Sequence, residues 1–262
     1  MKYALCVGIN EYIDKDNTLR GCRNDAFDMA AFFQIELGVP KENVVILLDR
    51  AATKDNIMTE LENMKAKARP GDYLANSHSS HGTQQPDKDG DELDYFDEAL
   101  CCTNTRPLAG GWDPKTIILD DELRNYCTGL PDGVRFEAWF DTCHSGSALR
   151  QMGLSYDRAR VMLADNDRLE RLRDVKRMMG IIENPETVLW AACEADKLSA
   201  DTFLDGKWCG AFTNAFLTTY HPKLARGTIL NLVREKLRQG GYDQVPQLDL
   251  VKSAFRKGLV GT

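Results

Sequence analysis

The chain has 262 residues, of which 43% are hydrophobic and 28% charged, with a formal net charge of −7. That length can bury a sizeable core in one large α/β domain or two small ones. The acidic balance disfavours nucleic acid and acidic membranes as partners, and no apolar run approaches the ~18 residues of a membrane span.

The opening "MKYALCVGIN" lacks the apolar core and cleavage site of a secretory leader, so a cytoplasmic location is expected. Eight cysteines are present: Cys6, Cys22, Cys101, Cys102, Cys127, Cys143, Cys193 and Cys209. The even count admits disulfides, but in a cytoplasmic chain reduced thiols are the expectation. No CxxC pair supports a structural zinc.

In chain order, "YALCVGI" (3–9) reads as a buried strand. "NDAFDMAAFFQIEL" (24–37) carries Phe27, Ala30, Ala31 and Ile35 at helical spacing, with Gly38 and Pro40 as its stop. "NVVILL" (43–48) is a second buried strand. Thr53 caps a helix over roughly 54–68, closed by Pro70 and Gly71. "DYLANSHS" (72–79), "VRFEAWFD" (134–141) and "TVLWAAC" (187–193) are three more strands. Helices are expected over about 119–128, 210–220 and 228–238. Strands alternating with helices imply an α/β fold, with a mostly parallel central sheet and helices on both faces. Residues 84–117 are acidic and turn-rich, a long loop or small hairpin. Residues 150–180 hold eight Lys/Arg and five Asp/Glu, either a solvated amphipathic helix or an exposed connector open to proteolysis.

In open parallel sheets functional groups gather at the carboxyl ends of the strands. "SHSSHGT" brings Ser79 and His81 to that rim, "DTCHSGS" brings Asp141 and Cys143, and "GCRND" brings Cys22 and Asp25. Cys143 reads equally as a nucleophile or as a buried small hydrophobe. A nucleophile there needs a base, because a free thiol is ionised only to a few per cent at neutral pH. His144 is its immediate neighbour, and neighbours on extended chain point to opposite sides. His78 has the wrong strand parity, and His221 precedes a proline on a surface segment. His81, followed by Gly82 at a strand end, is the candidate base. A metal site of His78, His81 and Cys143 is the rival, although HxxH on a strand and turn does not converge as a helical pair does.

"SSHGT" and "DTCHSGS", with "ALCVGINEY", "LRGCRNDA", "DGDELDYFDEAL", "WAACEADKLSAD", "GAFTNAF" and "VPQLDL", resemble in order the motifs of the metacaspases and orthocaspases of the caspase-like clan. The resemblance spans nearly the whole chain. It implies a caspase-like fold in one domain, 1–262. Within it, 1–149 is large-subunit-like, 150–184 a basic connector and 185–262 small-subunit-like. It also implies a cysteine endopeptidase with a His81–Cys143 dyad, cleaving after Arg or Lys, and a specificity pocket on Cys22, Asp25, Ser79 and Asp141. Two carboxylates in such a slot suit a guanidinium. Read as structure alone, Asp25 is a helix N-terminal acid and Asp141 a strand-end acid making local turn bonds. The oxyanion would meet the backbone N–H groups of Gly82 and Cys143.

Two departures stand out. Ser80 occupies a position where the family has Gly. Calcium, which many relatives use, would find Asp120, Asp121 and Asp94 or Asp97. It meets Arg150 where a further acidic ligand is expected, and a guanidinium cannot ligate it. No required cofactor and no tight calcium site are therefore expected. The expected partners are protein or peptide substrates with a basic P1 residue, met by a monomer, with self-processing in the connector near Arg158, Arg160, Arg173, Lys176 or Arg177. The alternative is a catalytically weak caspase-like scaffold or regulator. A preference for Asp substrates is disfavoured by repulsion from Asp25 and Asp141.

Overall fold

A computed structural model describes residues 1–86, 96–142, 158–159, 186–193, 199–250 and 254–259, with the backbone alone for 96 and 158–159. A six-stranded sheet forms its centre. The strands β1 (Lys2–Gly8), β2 (Val44–Leu48), β3 (Tyr73–Ser79), β9 (Arg135–Asp141) and β11 (Thr187–Ala191) are parallel, and β14 (Gln247–Asp249) is antiparallel at one edge. The spatial order is β14-β11-β9-β3-β1-β2. The inner strands are largely buried because helices cover both faces, although β3 ("YLANSHS") is polar over its last four residues.

On one face lie α1 (Cys22–Ile35), α4 (Ala211–Thr219) and α5 (Arg226–Gln239), packed through Ala26, Met29, Phe33, Phe212, Phe216 and Ile229 onto Ala4, Tyr73, Trp139 and Trp190. On the other lie α2 (Lys54–Lys67) and α3 (Asp120–Thr128), packed through Ile57, Leu61, Leu123 and Tyr126 onto Leu5, Leu74 and Phe136. Thr53 accepts from Asn56 N–H and caps α2 as expected.

Two expectations need correction. Of the stripe read on the first helix, Phe27 and Ile35 are exposed, as is Ala31. The buried face instead runs Cys22, Asp25, Ala26, Met29, Ala30, Phe33. A buried aspartate interrupts the apolar pattern, which is why the stripe was displaced. Also β2 is half-buried rather than buried, because it forms the far edge of the sheet.

The acidic stretch after β3 holds β4 (Gly82–Pro86), β5 (Phe96–Cys101) and β8 (Ile117–Leu119) in one small antiparallel sheet, with β6 (Pro107–Leu108) and β7 (Gly111–Trp112) paired beside it. Strand β12 (Ala200–Leu204) turns back into β13 (Lys207–Gly210), and β10 (Arg158–Ala159) adds antiparallel to β12. Asp205 and Gly206 take φ of 50° and 84° between them, the two left-handed residues of a type I′ hairpin turn.

A buried ion pair ties the sheet to the C-terminal segment. Glu137 accepts from Arg226 Nε (2.8 Å) and Nη2 (2.6 Å), from Trp190 Nε1 (2.8 Å) and from Tyr73 OH (2.8 Å). The same guanidinium donates to the carbonyls of Gly258 (2.7 Å) and Leu259 (3.1 Å).

Candidate active site

Strand register puts Gly8, Ser79 and Asp141 side by side at the carboxyl end of the sheet. Tyr73 and Ala75 pack on the α1 face, so alternation sends Ser79 to that face as well. The first turn of α1 presses on the same rim. A Cβ on Gly8 would lie 2.3 Å from the Cys22 carbonyl oxygen, so only glycine allows that approach.

His81 follows Ser79 by two residues and is buried. Its Nε2 lies 2.7 Å from the Asn17 carbonyl. A carbonyl only accepts, so Nε2 carries the hydrogen and Nδ1 is the basic nitrogen of the neutral ring. The His81 N–H donates to Tyr12 OH (2.9 Å), and the Tyr12 ring lies against the imidazole at 5.0 Å between centroids. The loop carrying both partners is pinned by Asp49, whose Oδ1 accepts from the N–H groups of Asn10 (2.8 Å) and Glu11 (3.0 Å). Ser80, the departure from the family pattern, has a structural use: its hydroxyl donates to the His81 carbonyl (2.8 Å) and lies 3.0 Å from His78 Nε2. His78 faces the other side of the sheet, edge-on to Phe140. The two imidazoles therefore do not converge, and no group of three His, Cys, Asp or Glu suited to a metal occurs among the described residues.

The His81 carbonyl accepts from Cys101 N–H (3.0 Å). That makes the next pair, Gly82 and Leu100, the one whose N–H groups point away from the partner strand. The Gly82 N–H is accordingly directed away from β5.

Asp25 and Asp141 meet on one helix end. Asp25 accepts from the N–H of Gly210, the residue that caps α4, at 2.9 and 3.1 Å. Asp141 accepts from Thr213 N–H (3.0 Å), Thr213 Oγ1 (2.7 Å) and Ser199 Oγ. Both carboxylates thus lie within the first turn of α4, where the helix dipole favours negative charge. The local turn bonds read for Asp141 from sequence are replaced by bonds to residues 58 and 72 positions away. A third acid, Asp201, accepts from the N–H groups of Arg20 (2.8 Å) and Gly21 (2.9 Å) and so fixes the start of α1.

Cys143 and His144 lie outside the described residues, as do Asp94, Arg150 and, Arg158 excepted, the basic residues of the connector. No disulfide joins any two of the seven described cysteines, Cys22 among them. Burial pushes Cys6 and Cys127 up to about 12 and Cys102 higher still, which suits them to packing rather than to attack.

Of the acids considered for calcium, Asp120 and Asp121 share the Arg124 guanidinium, at 3.5 and 2.5 Å. That built-in cation does not fit a donor set for a second one. Burial, then the charge of Asp121, raises the Asp120 carboxyl to about 6. A carboxyl raised on folding favours the folded state when protonated, so its contribution is lost as pH rises from about 4 to about 6. Asp120→Asn should therefore stabilise the protein by about 1–2 kcal/mol at pH 7.5 and by little at pH 4. Urea unfolding at both values measures this.

Sequence reasoning missed Tyr12, Asn17, Ser199, Asp201, Thr213 and the β12–β13 hairpin. The Asp205-Gly206 pair signalled the hairpin. Asn17 acts through its main chain and leaves no side-chain signal.

A mostly parallel six-stranded sheet with helices on both faces, and a buried histidine two residues past the end of a middle strand, is a caspase-like fold. The solved structures agree. The chain matches a crystal structure of a Geobacter sulfurreducens protein at a TM-score of 0.70 and 25% identity, covering 98% of this chain and 96% of that one. It matches caspase-1 from Spodoptera frugiperda at 0.62 and 12% identity, covering 100% and 92%. The family model "Metacaspase, peptidase C14 domain" matches residues 2–152. Metacaspase-1 of Cryptococcus neoformans var. neoformans is 32% identical over 94% of this chain, which spans 62% of that relative's length. The chain belongs to the metacaspase family of cysteine peptidases.

Proposed function

We propose that this chain is a cysteine endopeptidase that cleaves proteins after Arg or Lys, with Cys143 as nucleophile and His81 as its base. The observation that carries the specificity is the convergence of Asp25 and Asp141 on the first turn of α4, in the row that also holds Ser79. Two carboxylates at a buried rim call for a cationic side chain, and a guanidinium can bond them in parallel. Cys22, at the start of α1, lines the same slot.

In this mechanism His81 Nδ1 takes the Cys143 proton, and the thiolate sulfur attacks the scissile carbonyl carbon. The carbonyl electrons move to oxygen, which the N–H groups of Gly82 and Cys143 receive. As the oxyanion collapses the C–N bond breaks, and the imidazolium gives its proton to the leaving amine. Water then attacks the thioester and gives its proton to Nδ1, which returns it to sulfur as the acid product leaves. No step uses a metal. The enzyme acts on protein substrates as a monomer in the cytoplasm. The basic connector, with Arg158, Arg160, Arg173, Lys176 and Arg177, is its own substrate.

Fluorogenic peptides ending in Arg, Lys or Asp, with and without calcium, test this. Turnover of the Arg and Lys peptides alone is expected, at the same rate after EDTA. Cleavage after Asp, or dependence on calcium, would refute the corresponding part. Absence of turnover would favour a regulatory scaffold. Asp25→Asn keeps an acceptor for Gly210 N–H while removing the charge. It should lower kcat/KM on the Arg peptide about ten- to hundredfold, chiefly through KM.

A further inference from the structure

His81 is gripped at three points by one loop. Its main-chain N–H donates to Tyr12 OH at 2.9 Å, its ring lies tilted against the Tyr12 ring, and its Nε2 donates to the Asn17 carbonyl at 2.7 Å. Two of the three contacts come from the Tyr12 side chain. From the other direction β5 holds the same residue, through the bond of Cys101 N–H to the His81 carbonyl.

The loop itself is braced. Leu19 N–H closes it on the Asn10 carbonyl at 2.9 Å. Glu11, next to Tyr12, is held at both main-chain groups, its N–H by Asp49 Oδ1 (3.0 Å) and its carbonyl by Thr103 Oγ1 (2.8 Å). Asp49 makes its bond from a φ of 43°, a left-handed conformation that persists in a non-glycine residue where the surroundings over-determine it. Burial, then the nearby thiols of Cys101 and Cys22, hold the Tyr12 phenol well above its usual range. Its hydroxyl therefore stays neutral through the range in which a histidine titrates. A leucine could fill much of this buried space. It could not accept from the His81 N–H, and it has no flat face to set against the imidazole. An imidazole free to turn over about χ2 exchanges its nitrogens with its carbons, and a base works only when the right nitrogen meets the proton.

We infer that Tyr12 is a positioning residue for the base: its hydroxyl and its ring hold the His81 imidazole in the one orientation that bonds Nε2 to Asn17 and makes Nδ1 the proton acceptor. This rests on the reading of His81 as the base given above. The loss on removing Tyr12 falls on kcat rather than on KM, and it is carried through His81.

Tyr12→Phe and Tyr12→Leu test the inference, each alone and with His81→Ala, on whichever fluorogenic peptide the wild type cleaves. Tyr12→Phe keeps the ring and should lower kcat about tenfold, while Tyr12→Leu loses both contacts and should lower it about a hundredfold, with KM within about twofold in each. In the His81→Ala background Tyr12→Leu should change kcat by less than about twofold, since nothing is left to position. Nitrogen-15 NMR of the Cys143→Ala protein at about pH 8 reads the ring directly. His81 should be a single Nε2–H tautomer there, and adding Tyr12→Leu should turn it into a mixture. An equal loss from Tyr12→Leu with and without His81, or a single Nε2–H tautomer kept in Tyr12→Leu, would overturn the inference and leave Tyr12 a packing residue. If Tyr12→Leu does not fold, Tyr12→Phe decides, and wild-type kcat in it would overturn the inference. Full kcat in His81→Ala, or cleavage of no peptide, refutes the proposed base, and the tautomer then decides the role of Tyr12 by itself.

Discussion

Cys143→Ala should abolish turnover of an Arg peptide, and His81→Ala should lower kcat at least about a thousandfold with a smaller change in KM. The histidine's share follows from its setting. Its Nε2 is committed to the Asn17 carbonyl, so Nδ1 is the only ring atom that can accept the thiol proton. Without it a thiol of ordinary pKa, near 8.5, is only slightly ionised at pH 7. Raising the pH should therefore recover part of the rate in His81→Ala and none in Cys143→Ala. Steady-state rates from pH 6 to 9 on both variants provide the measurement. Full activity in His81→Ala would exclude it as the base. His144→Ala should retain most of the wild-type rate, which separates the sequence neighbour from His81, the proposed base.

Arg226→Ala should destabilise the protein by about 3–5 kcal/mol. Glu137 is buried among Tyr73, Trp190 and Arg226, and removing the guanidinium leaves an uncompensated carboxylate in the core. The loss also frees the carbonyls of Gly258 and Leu259, so the C-terminal segment should become accessible to carboxypeptidase before the rest unfolds. A double variant, Glu137→Gln with Arg226→Met, should lose less than Arg226→Ala alone, because the buried charge goes with its partner. Urea unfolding of the three proteins decides it. Equal loss in the single and double variants would mean that packing, not charge, sets the effect.

Much of the sheet was legible because its strands are apolar runs ended by Gly, Asn or acidic residues, as in "YALCVGI" and "VRFEAWFD". The face of α1 was not, because its buried stripe contains Asp25. An aspartate in a core position looks like a polar one until its partner, 185 residues on, is known. The same holds for Asp141: its type and place at a strand end were readable, but its bonds to Ser199 and Thr213 depend on how the last third of the chain folds back. His81 stood out through its glycine turn and strand parity. What holds it did not, since Tyr12 and Asn17 sit in a loop whose path is set by Asp49 on another segment. The β12–β13 hairpin was overlooked despite its Asp-Gly turn, because one short hairpin carries little weight beside long apolar runs.

The bond from His81 to a main-chain carbonyl has a consequence for genetics. A saturation scan of side chains will score position 17 as tolerant, since almost any residue there presents the same oxygen. The vulnerable property is the path of residues 12–18. Insertions or deletions of a single residue in that loop should abolish the proposed activity, while side-chain substitutions at position 17 pass and those at Tyr12, which touches His81 through its side chain, do not.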